Sequence, residues 1–134
     1  MEPGIVADAR RGHHRWMTTL YGITNCDTVK RARAWLAEHG LEVAFHDFKK
    51  QGVPVELLPA WLKAFGRDKL VNRAGNTWRK LDGEAQAAVV DDASATALML
   101  AEPSVIKRPV VRWPDGSLTL SFTPEAFGAK KESL

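Results

Sequence analysis

Apolar positions change their period along the chain, and the changes outline a succession of elements. From Thr18, the run Leu20, Tyr21 and Ile23 predicts a short strand that stops at Thr24-Asn25. Val29, Ala32 and Leu36 then repeat at helical spacing until Gly40 supplies a stop. Leu41 to Phe48, with Val43, Phe45 and Phe48 among polar residues, predicts a second strand, and a strand-helix-strand unit of this length implies a parallel pair. Gly52 and Pro54 punctuate next. Pro54 fits the first turn of a helix in which Leu58, Trp61, Leu62 and Phe65 fall at i, i+3, i+4 and i+7 before Gly66.

Asn72 to Asn76 reads as a loop and Thr77 to Leu81 as a short helix. Two alanine-rich helices follow, around Gly83 to Val90 and Ala93 to Glu102, the second capped by Asp91 or Asp92, and Pro103 closes the block. Val110 to Trp113, the Pro114-Asp115-Gly116-Ser117 turn and the alternating Leu118, Leu120 and Phe122 predict a hairpin. Thr123-Pro124-Glu125 carries the cap and first-turn chemistry of a last helix, and Lys130 to Leu134 is expected to fray. The order βαβ, helical block, ββα describes an α/β protein: a four-stranded mixed sheet of thioredoxin-like architecture with a helical insertion over about 53–103.

Composition narrows the organisation. The 134 residues, 45% hydrophobic and 26% charged, suit one globular domain, expected over 17–134. Residues 1–16 lack apolar periodicity, and Glu2, Asp8, Arg10 and Arg11 interrupt any signal-peptide hydrophobic stretch. A flexible N-terminal extension is the expectation there; the His13-His14 pair alone makes a weak metal site. No apolar run is long enough for a membrane span. The formal net charge is only +3, and the first sixteen positions hold Arg10, Arg11 and Arg15 against Glu2 and Asp8. The remainder is close to neutral, which gives no footing for direct nucleic-acid binding.

Cys26 is the one cysteine, so no internal disulfide can form, and a reducing cytoplasm is the expected setting. It stands where the strand pattern gives way to the helical one. A thiol at a helix N-terminus meets unpaired backbone N–H groups and the positive end of the helix dipole, and both stabilise the attacking thiolate. A lone cysteine is more often buried and structural, but polar Asn25, Asp27 and Thr28 beside it favour a nucleophile.

Three motifs carry a resemblance. Tyr21-Gly22-x-x-Asn25-Cys26 opening a helix, Asn72-Arg73 with Thr77-Trp78-Arg79-Lys80, and Ile106-Lys107-Arg108-Pro109-Val110 before the hairpin resemble the glutaredoxin-like arsenate reductase (ArsC) family. The likeness is greatest to its YffB-like branch, related to the Spx regulators, and spans about Thr18 to Phe127. It implies that Cys26 is the nucleophile and that Arg73 and Arg108 bind an oxyanion or a glutathione carboxylate, for which guanidinium forks are suited. Pro109 matches the proline that is cis beside the cysteine in such folds. Asn25 belongs to the cysteine motif, and Lys30, in the first helical turn, either assists the thiolate or is merely solvated. Solvated loop or strand-flanking charges remain the plainer reading of Arg73 and Arg108 taken singly, and a helix surface explains Arg79 and Lys80.

Departures from the family refine the expectation. Arsenate reductases of this type carry histidine where this chain has Gly22, arginine where Lys30 stands, and a third arginine in the stretch matching Leu118 to Pro124. Fewer cationic donors imply weaker arsenate binding, each charge-assisted hydrogen bond being worth about 1.5–3 kcal/mol. The two-cysteine C-x-x-C switch of Spx relatives is also missing, since Asp27, Thr28 and Val29 follow Cys26. The resemblance thus implies a monothiol reductase with no bound cofactor or metal, acting on a small oxyanion or thiol substrate. Glutathione is its co-substrate, with glutathione or glutaredoxin as partner. Arsenate reductase proper, or a non-catalytic Spx-like protein that binds RNA polymerase, are the alternatives.

Overall fold

The structure is a computed structural model that describes residues 17–134; the expected extension over 1–16, with His13 and His14, lies outside the described residues. The chain forms two compact units. Among the described residues, one holds 17–47 together with Arg108–Leu134, the other Phe48–Lys107.

In the first unit, β1 (Thr18–Gly22), β2 (Val43–Asp47), β3 (Val110–Arg112) and β4 (Leu118–Leu120) form a sheet of order β2-β1-β3-β4. β1 runs parallel to β2, with Leu20 beside Phe45 and Gly22 beside Asp47, and antiparallel to β3, with Tyr21 beside Val110. β4 is antiparallel to β3, Leu120 beside Val110. All five residues of β1 are buried, as an interior strand covered on both faces requires.

Helix α1 (Asp27–Glu38) buries Val29, Ala32 and Leu36, the stripe its sequence period predicts. These join Leu20, Val111, Trp113, Phe122 and Phe127 in one core cluster. Gly40, at φ +72°, turns the chain out of α1, and the N–H groups of Gly40 and Leu41 return to the carbonyls of Ala37 and Leu36. That arrangement satisfies the last helical carbonyls and needs a left-handed residue, hence glycine.

The terminal helix of this unit, Pro124–Ser133, starts at Thr123, whose Oγ1 accepts from the Ala126 N–H at 3.1 Å. Its Phe127 meets Trp35, Trp113 and Phe122 edge to face, with ring centroids 5.6, 5.0 and 4.7 Å away. The expected fraying after Lys130 is absent. Lys130 Nζ reaches Asp115 at 3.3 Å, Ser133 Oγ donates to the Lys130 carbonyl, and Leu134 packs on the core, so the last turn is held at three points.

The second unit is helical: α2 (Phe48–Gln51), a 3-10 turn Val55–Leu57, α3 (Leu58–Phe65), α4 (Arg67–Leu70), α5 (Asn76–Lys80), α6 (Gly83–Ala87), α7 (Asp92–Ala101) and a 3-10 turn Pro103–Val105. The helix of the first unit over Pro124–Ser133 is therefore α8. Phe48, expected to end a strand, instead opens α2, because Lys49, Lys50 and Gln51 favour a helical turn that Gly52, at φ +81°, terminates. Leu58, Trp61 and Leu62 are buried as their spacing requires. Asp91 and Ser94 form a reciprocal capping box at the start of α7. An isolated bridge between Val71 and Ile106 ties the block's middle to its end. Among the described residues no helix is long and apolar enough to cross a membrane.

Candidate functional site around Cys26

Strand directions decide which segments share an edge. β1, β2 and β4 all run toward the edge at Gly22, Asp47 and Leu120, and β3 starts there from Arg108-Pro109. The β1–α1 turn, the Arg108-Pro109 peptide and the β4–α8 turn are thus neighbours at one end of the sheet. Helices α1 and α8 both begin at that end, so the positive ends of two helix dipoles face it.

The turn that presents Cys26 is shaped by Gly22. A Cβ there would lie 2.8 Å from Cγ2 of Val29, a fully buried residue of the first turn of α1. Only glycine lets α1 pack this closely on the strand end. Ile23 is buried, Thr24 and Asn25 are exposed, and Cys26 is half-buried against the core cluster. Cys26 is the N-cap of α1 with extended φ −149° and ψ 119°, and its carbonyl accepts from the Lys30 N–H at 3.0 Å. No side chain caps this helix start. Ser, Thr, Asp or Asn at the position would satisfy a first-turn N–H and stabilise the helix, so the sulfur holds its place at some expense of helix stability.

The Arg108-Pro109 peptide is cis and Pro109 is buried. Arg108 is half-buried, with its Nε shielded from solvent. The Pro109 carbonyl accepts from the Ser121 N–H at 2.8 Å, and Ser121 stands at φ +70°. Left-handed backbone at a non-glycine residue is uncommon, and here it turns the chain from β4 toward α8 at the same edge.

Of the residues singled out by sequence, Asn25, Cys26, Lys30, Arg108 and Pro109 share this end of the first unit. Arg73 lies in the second unit, exposed, where it donates to Asp68 Oδ1 at 2.9 Å and stands 5.2 Å from the centre of the Trp78 ring. Both partners of that ion pair are solvent-exposed, so it is a weak tie, worth at most about 1 kcal/mol. Arg79 and Lys80 are exposed in the last turn of α5.

Sequence reasoning passed over Asp47 and Arg31 at the edge, and Arg33 on the β2 flank of α1. Asp47, 5% exposed, ends β2 beside Gly22; the signal was a carboxylate closing the strand-like run Val43-Ala44-Phe45-His46. Arg31 lies over the Phe122 ring at 5.5 Å and Arg33 over the Phe45 ring at 4.2 Å, pairs distant in sequence that no local pattern announces. Among the described residues no group of three or more His, Cys, Asp or Glu side chains could hold a metal ion.

Comparison with known proteins bears on this arrangement. Residues 21–129 match the family model described as ArsC family. A Haemophilus influenzae protein is 38% identical over 113 residues, covering 84% of this chain and 97% of its own. A solved structure of a protein named YffB is 46% identical with a TM-score of 0.78, over 84% of this chain and 97% of that one. The solution structure of an arsenate reductase (ArsC) related protein from Brucella melitensis is 47% identical with a TM-score of 0.68, over 87% and 95%.

Proposed function

Since the chain belongs to the ArsC family, with its thioredoxin-like fold, we propose that it is a glutathione-dependent thiol reductase whose nucleophile is Cys26. The observation that carries this reading is the N-cap position of a half-buried, partly accessible thiol at the sheet end where α1, α8 and the cis Arg108-Pro109 peptide meet. The first-turn N–H groups and the dipole of α1 stabilise negative charge on sulfur.

The reaction is two thiol-disulfide exchanges. The Cys26 thiolate attacks a substrate disulfide carrying glutathione, a mixed disulfide forms on Cys26, and the substrate leaves as a thiolate that takes a proton. Glutathione thiolate then attacks that mixed disulfide, releasing oxidised glutathione and regenerating Cys26. The balance is substrate–glutathione disulfide plus glutathione giving substrate thiol plus glutathione disulfide. Both electrons come from glutathione. An external thiol is required at the second step because the chain has no second cysteine.

Arg108 is assigned to an anionic group of the partner, since a guanidinium offers a fork of donors to a carboxylate. Arg73 is given the same role, its exposed pair with Asp68 being weak enough to exchange for a ligand. Asn25 and Lys30 are assigned to the Cys26 side of the site, and Pro109 to the start of β3 at the same sheet end. A reducing, cytoplasmic setting suits this chemistry.

Cys26→Ser abolishes glutathione-supported turnover of a glutathionylated peptide, and unchanged turnover would end the reading. Arsenite release from arsenate with glutathione and glutaredoxin present would instead favour arsenate reduction. Binding to RNA polymerase without any turnover would favour an Spx-like regulator.

A further inference from the structure

We propose that Arg31 is an anion-contact side chain of the Cys26 site, biasing it toward reaction partners that carry negative charge close to the reacting atom. The inference rests on the reading of Cys26 as the nucleophile and adds which partners that nucleophile prefers.

Arg31 stands five residues after Cys26, about 7.5 Å further along the α1 axis at 1.5 Å per residue. Helical side chains lean toward the helix N-terminus, so a long side chain here reaches back toward the Cys26 end. The observed resting place agrees: the Arg31 guanidinium lies 5.5 Å from the centre of the Phe122 ring. Phe122 sits between Ser121, which follows the last residue of β4, and Thr123, the N-cap of α8. The cation is therefore held at the β4–α8 turn, on the edge that also carries Cys26 and Arg108.

At 5.5 Å this is a cation–π approach, and among the described residues no hydrogen bond engages the guanidinium N–H edges. Those edges are what bind a carboxylate in the plane of the group. Asp27, one turn before Arg31, and Glu125, in the first turn of α8, are the exposed carboxylates at this end. Among the described residues Arg31 makes an ion pair with neither. Its neighbours serve less well. Lys30 is exposed with no ring contact, and Arg33 is held over Phe45 on the β2 flank of α1.

The test uses the full chain and its single thiol. Rates of Cys26 alkylation by iodoacetate, which is anionic, and by iodoacetamide, which is neutral, are measured at one pH. Both reagents attack the same thiolate, so their rate ratio cancels the fraction of thiol ionised and isolates the charge preference. Arg31→Gln, a change at an exposed position, is expected to lower the iodoacetate/iodoacetamide ratio about threefold or more, the order of one unit charge acting over several ångströms near a protein surface. Arg31→Lys, which keeps the charge, retains most of the ratio. Lys130→Gln, which removes a charge at the opposite end of the unit, leaves it unchanged.

A ratio unaltered in Arg31→Gln, or lowered equally in Lys130→Gln, overturns the proposal. The measurement needs no glutathione turnover. A ratio that responds to Arg31 in a protein without reductase activity keeps the role of Arg31 and removes the reductase reading. An unresponsive ratio in an active enzyme removes the role of Arg31 alone.

Discussion

Two residues of the β1–α1 turn hold opposed demands of stability and chemistry. Cys26 occupies an N-cap without capping it, so Cys26→Ser, which kills a thiol mechanism, also supplies a hydroxyl suited to the first-turn N–H groups. The expected outcome is an inactive protein stabilised by about 0.5–1 kcal/mol, read from denaturant unfolding. Gly22 shows the reverse tension. Gly22→Ala drives a methyl toward the Val29 side chain at 2.8 Å and is expected to destabilise by about 1–3 kcal/mol. In a Val29→Ala background the same change costs much less, and strict additivity of the two in unfolding experiments would show that the contact is not the cause. The same crowding gives a physical reason for one departure noted in the sequence. A side chain larger than hydrogen at position 22 is incompatible with Val29 in the first turn of α1. That could not be read from the sequence, because the two positions meet only once the helix folds back.

Among the elements, those whose signals are local were legible. The stripe of α1, the hairpin, the cap of α7 at Asp91 or Asp92 and the Thr123 cap of α8 rest on spacing and cap chemistry within a few residues; each is found, the α7 cap at Asp91. Thr123→Ala removes the hydroxyl that accepts from Ala126 and should cost about 1 kcal/mol of stability, with faster amide exchange confined to the start of α8. The unexpected persistence of α8 to Ser133 has a different origin, a contact fifteen residues away between Lys130 and Asp115. Burial acts to raise the Asp115 pKa, but the Ser117 hydroxyl and backbone N–H, then Lys130, outweigh it and hold the carboxyl below its usual value of 3.8. A carboxyl with a lowered folded-state pKa contributes stability that is full above the unfolded value. That contribution is lost as pH falls through the folded one. Melting temperature should therefore fall more steeply below about pH 4 in the parent than in Asp115→Asn, and parallel profiles would deny Asp115 this part in acid unfolding.

At the scale of the molecule, the order βαβ, helical block, ββα and the mixed sheet were legible because strand pairing follows from element order. The exact content of the 48–107 block was not. Helices as short as α2 and α4 carry one turn of pattern each, too little to separate from a loop, and Phe48 fits a strand or a helix start equally well. The site was legible as a set of residue types on motifs, and its assembly was not. That Arg31 rests on Phe122, and that Asp47 closes the strand beside Gly22, depend on register and on side chains meeting across ninety or twenty-five positions.

The common direction of β1, β2 and β4 has a spectroscopic consequence. A glutathionyl group attached to Cys26 would touch an edge fed by four stretches far apart in sequence. In a nitrogen-15 correlation spectrum the amide resonances of Gly22 to Lys30, Asp47, Val110 and Ser121 to Ala126 should move together on adduct formation. Those of Gly116 and Ser117, at the tip of the hairpin, should stay in place. Perturbations limited to the immediate neighbours of Cys26 would mean that the four stretches do not share that edge in solution.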